Sequence, residues 1–316
     1  MISISANSQP YLVEDEELSN LKSATLYVIM DTKTGKDDKY YDIFKEVWNY
    51  CAYEIIEPAE IVDHLSPDAF FMNLHVTIEG NSIEYTPTFK YLQVYELKIW
   101  KITPDYLRKM DRKRFRMDEI NLAANSITVA RIKLKADDSK SFFVGDMLSE
   151  CDFMGSPYLL YTGPGMFKNY LKYLQTLLNK KLFYKEKEYM YNSDEIAKLR
   201  KSTLYIPKPI LIEYKKDKNS KVKNKIVKIY DPKEIFADYP GKYELISLSD
   251  LDDRIIASDE TFYYMNTYLT YDIAFKLIMT ITNSNSGEII FKDIMISSKS
   301  FPPKMIKNLS KNMNKL

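Results

Sequence analysis

The stretch LKSATLYV at residues 21–28 returns as LRKSTLYI at residues 199–206. Each ends in a run of β-branched and aromatic residues, the composition of a strand. The match does not stand alone. YEIIEPAEIVDHL (53–65) pairs with YELISLSDLDDRI (243–255), and DAFFMN (68–73) pairs with ETFYYMN (260–266), in the same order. Three ordered matches point to an internal duplication, and a missed repeat would misread the whole fold.

Both copies predict the same elements. An opening strand spans residues 25–30 or 203–211. In the first copy a helical crossover follows, YYDIFKEVWNY, with Ile43, Phe44, Val47 and Trp48 on one face. A short strand comes next, then a short acidic helix starting at Pro58 in one copy and near Ser247 or Ser249 in the other. Two further strands close each copy. The second copy carries an insertion, ILIEYKKDKNSKVKNKIVKIY (210–230). It alternates, breaks at a polar turn and alternates again, which is a hairpin signature. Strand, helix, strand, helix, strand predicts βαβ units. The closing hairpins make the sheets mixed.

The predicted fold is therefore α/β with mixed sheets: two related βαβ-containing lobes from an internal duplication, joined by a helical connection. Residues 1–102 form the first repeat. Residues 103–192 hold connecting helices and a strand packed with the first lobe. Residues 193–316 form the second repeat, with its hairpin and a basic C-terminal helix. In the connection, GMFKNYLKYLQTLLNKKL (165–182) is an amphipathic helix with Phe167, Tyr170, Leu171, Leu174, Leu177 and Leu178 on one stripe. Asn192 is a helix N-cap, with Glu195 placed to reach back as in a capping box.

Residues 161–173, followed by KSTLYIP (202–207 with its flanking Lys201) and YELISLSDLDDRI, resemble a group of uncharacterised two-part α/β proteins of Bacteroidota. That resemblance covers most of the chain and implies an envelope or extracytoplasmic setting. Members of the group carry export signals, whereas MISISANSQPYLVEDEEL has neither a basic start nor an apolar core. The repeating half is also similar to small α/β modules of bacterial envelope assembly proteins. Localisation stays open, and fold likeness does not fix function.

Composition narrows the chemistry. The chain of 316 residues has net charge +1, so no global field draws in nucleic acid or an anionic membrane. Its 8 glycines argue against Gly-rich nucleotide folds, and its 26 tyrosines suit strand packing and half-wet contact surfaces. Cys51 and Cys151 have no metal-type spacing and leave one disulfide or two thiols open.

Four features ask for a site. The turn TGPGMFK places Thr162, Gly163, Gly165 and Lys168 at a helix start, where backbone amides can hold an anion. Its spacing matches neither a P-loop nor a dinucleotide fingerprint, and Thr162 as N-cap with Pro164 near N1 explains it without ligand. Arg108, Lys109, Arg112, Lys113 and Arg116 form a basic stripe on a predicted helix, suited to phosphate or an acidic protein. The C-terminal segment alternates Met305, Ile306, Leu309 and Met313 with lysines, and such a helix can meet a membrane surface or dock on its own lobe. His64 and His75 do not cluster with other metal ligands, so neither metal nor cofactor is predicted. The reading that follows is a non-catalytic binding or assembly protein with Tyr-rich and charged surfaces for a protein partner or homo-oligomer. One alternative is an enzyme or sensor for a small anionic ligand at 162–168. Another is a phage virion or cell-envelope component.

Overall fold

The computed structural model describes residues 11–12, 15–35, 37–79, 92–109, 125–136, 159–180, 190–215, 224–271, 275–296 and 303–315. The first lobe runs β1 (Tyr11–Leu12), α1 (Asp15–Ser23), β2 (Thr25–Ile29), α2 (Asp38–Val47), β3 (Ala52–Ile56), a 3-10 helix (Pro58–His64), β4 (Phe70–Glu79), β5 (Leu92–Ile102), α3 (Pro104–Lys109), β6 (Ser126–Ala136), β7 (Leu159–Leu160) and α4 (Pro164–Lys180). The second runs β8 (Met190–Tyr191), α5 (Ser193–Arg200), β9 (Thr203–Pro207), a 3-10 helix (Lys208–Leu211), β10 (Ile212–Lys215), β11 (Lys225–Ile229), α6 (Pro232–Ile235), β12 (Lys242–Ile246), α7 (Leu248–Ala257), β13 (Tyr263–Tyr271), β14 (Phe275–Asn283), β15 (Ile289–Ile296) and α8 (Pro303–Met313). The chain is a mixed α/β protein of two lobes.

Each lobe holds a five-strand mixed sheet, ordered β6-β5-β4-β2-β3 and β15-β14-β13-β9-β12, with short pieces added at β6 and β15. β2 and β9, each next to an edge strand, run parallel to both neighbours, and the remaining pairs are antiparallel hairpin additions. Registers coincide as well. Leu26 lies opposite Tyr53 and Phe70, while Leu204 lies opposite Tyr243 and Tyr263. The ladder between β5 and β6 slips at Ile99/Trp100, and the one between β14 and β15 slips at Ile281/Thr282. Trp100 pairs with Phe71, and Thr282 with Tyr264, so the two irregularities fall at the same place. Side chains follow the same plan. Glu17 of α1 pairs with Lys101 of β5. Its counterpart Glu195 of α5 accepts from Asn283 of β14 at 2.8 Å and from Tyr263 at 3.0 Å.

That use of Glu195 departs from the capping-box expectation. Asn192 does cap α5, accepting from the Glu195 amide at 3.2 Å, but the Glu195 carboxylate turns to the sheet. The second opening strand also stops at Pro207, short of residue 211. Pro207 and Pro209 lack the N–H that a ladder requires, and the chain turns through a 3-10 helix.

The two sheets share one core with helices α1, α2, α4 and α7, and β13 of the second lies directly against β5 and β6 of the first. One face of the first sheet carries Leu26, Val28, Phe70, Met72, Leu97 and Ile99 into a central core with α1, α2 and α4. The second lobe enters the same core from the other side through Tyr205, Ile246 and Tyr264 of its sheet and Leu251 and Ile255 of α7. The sequence matches make these the counterparts of Tyr27, Ile56, Phe71, Ile61 and Leu65. In the first lobe those five residues belong to a separate outer cluster with Trp100 and Ile102. The far face of the second sheet, with Leu204, Ile206, Tyr263 and Met265, is closed by α5 and α8. The lobes thus stack head to tail and share one core. Among the described residues ten tyrosines are buried, Tyr170, Tyr173, Tyr263 and Tyr264 included, so much of the tyrosine content serves packing.

Candidate functional site

α4 is the helix at the join. It is buried on most of its circumference, the polar Asn169 and Gln175 included, as befits a helix enclosed by packing. It packs on α2 in the first lobe and α7 in the second. The turn of the second lobe between β14 and β15 also holds it. Lys172 donates to the Asn285 carbonyl at 2.9 Å, Lys180 meets Glu288 at 2.7 Å, and Asn169 donates to the Tyr264 hydroxyl at 3.1 Å.

The turn that starts α4 is where the sequence placed an anion site. Tyr161 takes a left-handed backbone, φ 60°, which costs a bulky residue about 1–2 kcal/mol. Its side chain is buried, and its carbonyl accepts from the Tyr170 hydroxyl at 3.0 Å. The Thr162 carbonyl accepts from Tyr40 at 2.8 Å. Gly163, rather than Thr162, holds the N-cap position, since its carbonyl accepts the first intrahelical bond, from Phe167, at 3.0 Å.

The carboxylate at this helix start comes from the other lobe. Asp252 of α7 accepts from the Met166 amide at 3.0 Å, and the Gly165 amide also contributes. Both glycines make room for it. A Cβ on Gly163 would lie 2.3 Å from the Asp252 carboxyl carbon, and one on Gly165 would lie 2.3 Å from the Asp252 backbone oxygen. Burial pushes the Asp252 carboxyl above the usual carboxylate value, against the opposing pull of the two amides. Lys168 turns to the first lobe and pairs with Glu46 at 2.8 Å. The helix-start amides and Lys168 thus have protein carboxylates as partners.

Beside the turn opens a cleft of about 660 Å³ between α2 and α7. Ile43, Met166, Leu248 and Ile256 supply apolar wall. Lys39, Asp252 and Asp253 supply charge. A second, smaller space of about 30 Å³ lies between α4 and the second sheet, lined by Tyr170, Tyr173, Tyr264, Asn266 and Thr280. Its volume suits water alone.

The other predicted features lie apart from the cleft. Arg108 and Lys109 sit on α3, where Arg108 pairs with Asp105 and the neighbours Tyr106 and Leu107 pack on the outer cluster. Arg112, Lys113 and Arg116 lie outside the described residues, as does Cys151. Cys51 is a free thiol. His64 stacks on Tyr27 with ring centres 4.3 Å apart. α8 buries Met305, Ile306, Leu309 and Met313 against its own lobe and leaves Lys304, Lys307 and Lys311 exposed. Among the described residues no group of three or more His, Cys, Asp or Glu is placed to hold a metal ion, and no helix is long and apolar enough to cross a membrane.

Sequence reading passed over two features. Residues 164–174 of α4 and 303–313 of α8, PGMFKNYLKYL and PKMIKNLSKNM, share proline, methionine, asparagine and two lysines at matching positions. Each is the last helix of its lobe. The second feature is the aliphatic row exposed on the arm of β10 and β11, the hairpin expected from the sequence, which forms a two-stranded sheet of its own. All five residues of β11 are exposed, with Ile226 at 53%, Val227 at 45% and Ile229 at 68%. Only Ile256 and Ile296 join them as exposed large aliphatics among the described residues.

Comparison of the chain with family models, with curated proteins and with solved structures finds no match.

Proposed function

We propose that this chain is a non-catalytic binding and assembly protein, built from two lobes that descend from one duplicated unit. The arm carries the reading. A helix and sheet body that buries its apolar residues in shared cores leaves three aliphatic side chains of one strand in water. Exposed aliphatic surface of that kind marks contact sites for other macromolecules. The matched registers, ladder slips and Glu17/Glu195 contacts support common descent of the lobes. Charged side chains around the arm and α8 supply the polar rim that protein interfaces carry. A phage virion or a cell envelope would be a natural setting, and genomic neighbourhood tests that placement.

The test is affinity capture from native host lysate with wild type and an Ile226→Ser/Ile229→Ser variant. The expected result is a specific protein recovered by wild type and lost from the variant. Recovery of the same set by both would refute the reading.

The cleft favours a second reading, a small-ligand site at residues 162–168. Because Asp252 engages the helix-start amides, a ligand there would meet Lys39, Asp253 and the apolar wall. Thermal shift against phosphorylated compounds and against amines checks it. A rise for one class that vanishes in Lys39→Ala or Asp253→Ala supports it, and no rise for either class removes it.

A further inference from the structure

The arm has an open side. Among the described residues β11 has one ladder partner, β10. A two-stranded ribbon is marginal in water by itself, and an unpaired edge is a template for another strand. Lys225 and Lys228 lie on β11, and Lys215 on β10 faces Lys225. Five more lysines follow or precede them in sequence at 216, 218, 221, 223 and 233. Symmetric pairing of two arms would set these like charges against each other, which destabilises cross-strand pairs. The arm calls for an acidic strand.

The same chain carries one. β3 (Ala52–Ile56) is the edge of the first sheet, and its one ladder partner among the described residues is β2. It is five residues long, like β11, and exposes Ala52 and Glu54. β12, its counterpart in the second sheet, exposes Lys242 at the position of Ala52 beside Glu244 at that of Glu54, so its charges cancel where β3 keeps one uncompensated acid. Charge along the chain is divided in the same sense. Residues 1–102 hold 17 acids and 8 bases, whereas residues 193–316 hold 16 acids and 21 bases. Two copies approaching arm to first lobe attract one another, which raises the encounter rate.

We infer that β11 of one copy adds to the β3 edge of a second copy, extending the first sheet and covering Ile226, Val227 and Ile229. The contact joins unlike surfaces, so it propagates head to tail rather than closing as a two-fold dimer. It rests on the assembly reading above and names the partner as the chain itself.

Sedimentation velocity of the full chain over a range of concentration, at low and high salt, tests this. Wild type should form species heavier than a monomer as concentration rises, and more so at low salt. Ile226→Lys/Ile229→Lys should weaken association by roughly tenfold or more. Glu54→Lys alone should also weaken it. Mixing Glu54→Lys with Lys225→Glu/Lys228→Glu should restore mixed species, because the charges are exchanged across the contact. All sites are exposed, and unchanged circular dichroism and urea midpoints will show that the variants fold. A wild type that stays monomeric throughout overturns the inference, as does association indifferent to the arm or Glu54 variants. Monomeric wild type that binds phosphatidylglycerol vesicles through Ile226 and Ile229 overturns it in favour of lipid. Monomeric wild type that still captures a different protein through the arm sinks self-assembly and leaves the assembly reading standing.

Discussion

Replacing Gly163 by alanine should damage the protein through one residue of the opposite lobe, Asp252. The added Cβ would stand 2.3 Å from the Asp252 carboxyl carbon and 2.3 Å from one of its oxygens. No carbon approaches that closely, so the carboxylate must leave the Met166 amide. Overpacking costs about 1–3 kcal/mol, and loss of a helix cap about 1 kcal/mol. Gly163→Ala should therefore cost ~2–3 kcal/mol. Asp252→Ala should cost ~1–2 kcal/mol through the lost cap. The double variant removes the atoms that clash. It should cost no more than Asp252→Ala alone, a coupling of ~2 kcal/mol between residues 89 positions apart in sequence. Gly165→Ala behaves differently. Its Cβ meets the Asp252 backbone oxygen at 2.3 Å, which no side-chain replacement removes. Its cost should add to that of Asp252→Ala. Urea unfolding followed by circular dichroism and by fluorescence of the buried Trp48 and Trp100 measures all five species. With a slope of about 3 kcal/mol per molar, 2 kcal/mol moves the midpoint by ~0.7 M. Gly163→Ala within about 0.5 kcal/mol of wild type, or additive with Asp252→Ala, would refute the close approach.

Asp252→Asn keeps an acceptor for the Met166 amide and removes the charge. Since burial holds the Asp252 carboxyl above its unfolded value, its contribution is fully present below the unfolded pKa and is lost as pH rises through the folded one. Asp252→Asn should match or exceed wild type in urea midpoint at neutral pH and lose that advantage near pH ~3.5. Lys98, buried on β5, is pushed down to about 8 by burial, with Glu96 pulling it up and Arg131 pushing it down. The unfolded chain then binds more protons from about pH 8 to 10.4, so stability should climb with pH across that window, by on the order of 2 kcal/mol, and Lys98→Met should abolish the climb in paired urea titrations. Burial pushes the Cys51 thiol up to about 11. In a Cys151→Ser background, its alkylation by iodoacetamide at pH 8 should run ~100-fold slower than in urea.

The sequence alone determined the α/β class, the mixed sheets and most strand positions. These are carried by short-range signals: alternation along a strand, helical spacing, and cap residues such as Asn192 and Ser247. Ser247 accepts from the Asp250 amide at 3.0 Å, within the range the sequence proposed for that helix start. Pro58 likewise opens its helix as read. Where a residue serves a distant partner, the pattern was silent. In sequence Asp252 is one more acid of the short acidic helix, and nothing within a few positions of it distinguishes it from Asp250 or Asp253. Only the stacking of α7 on α4 brings its carboxylate to the Met166 amide and turns two glycines into clearance for it. Tyr205 and Tyr264 illustrate the same division. Their identity as strand residues was legible from the match to Tyr27 and Phe71. That they fill a core shared by two lobes, while their counterparts line an outer cluster, follows from which face of each sheet the other lobe covers. Strand periodicity says which residues share a face. It does not say what lies on that face, because burial there is decided by elements far away in the chain.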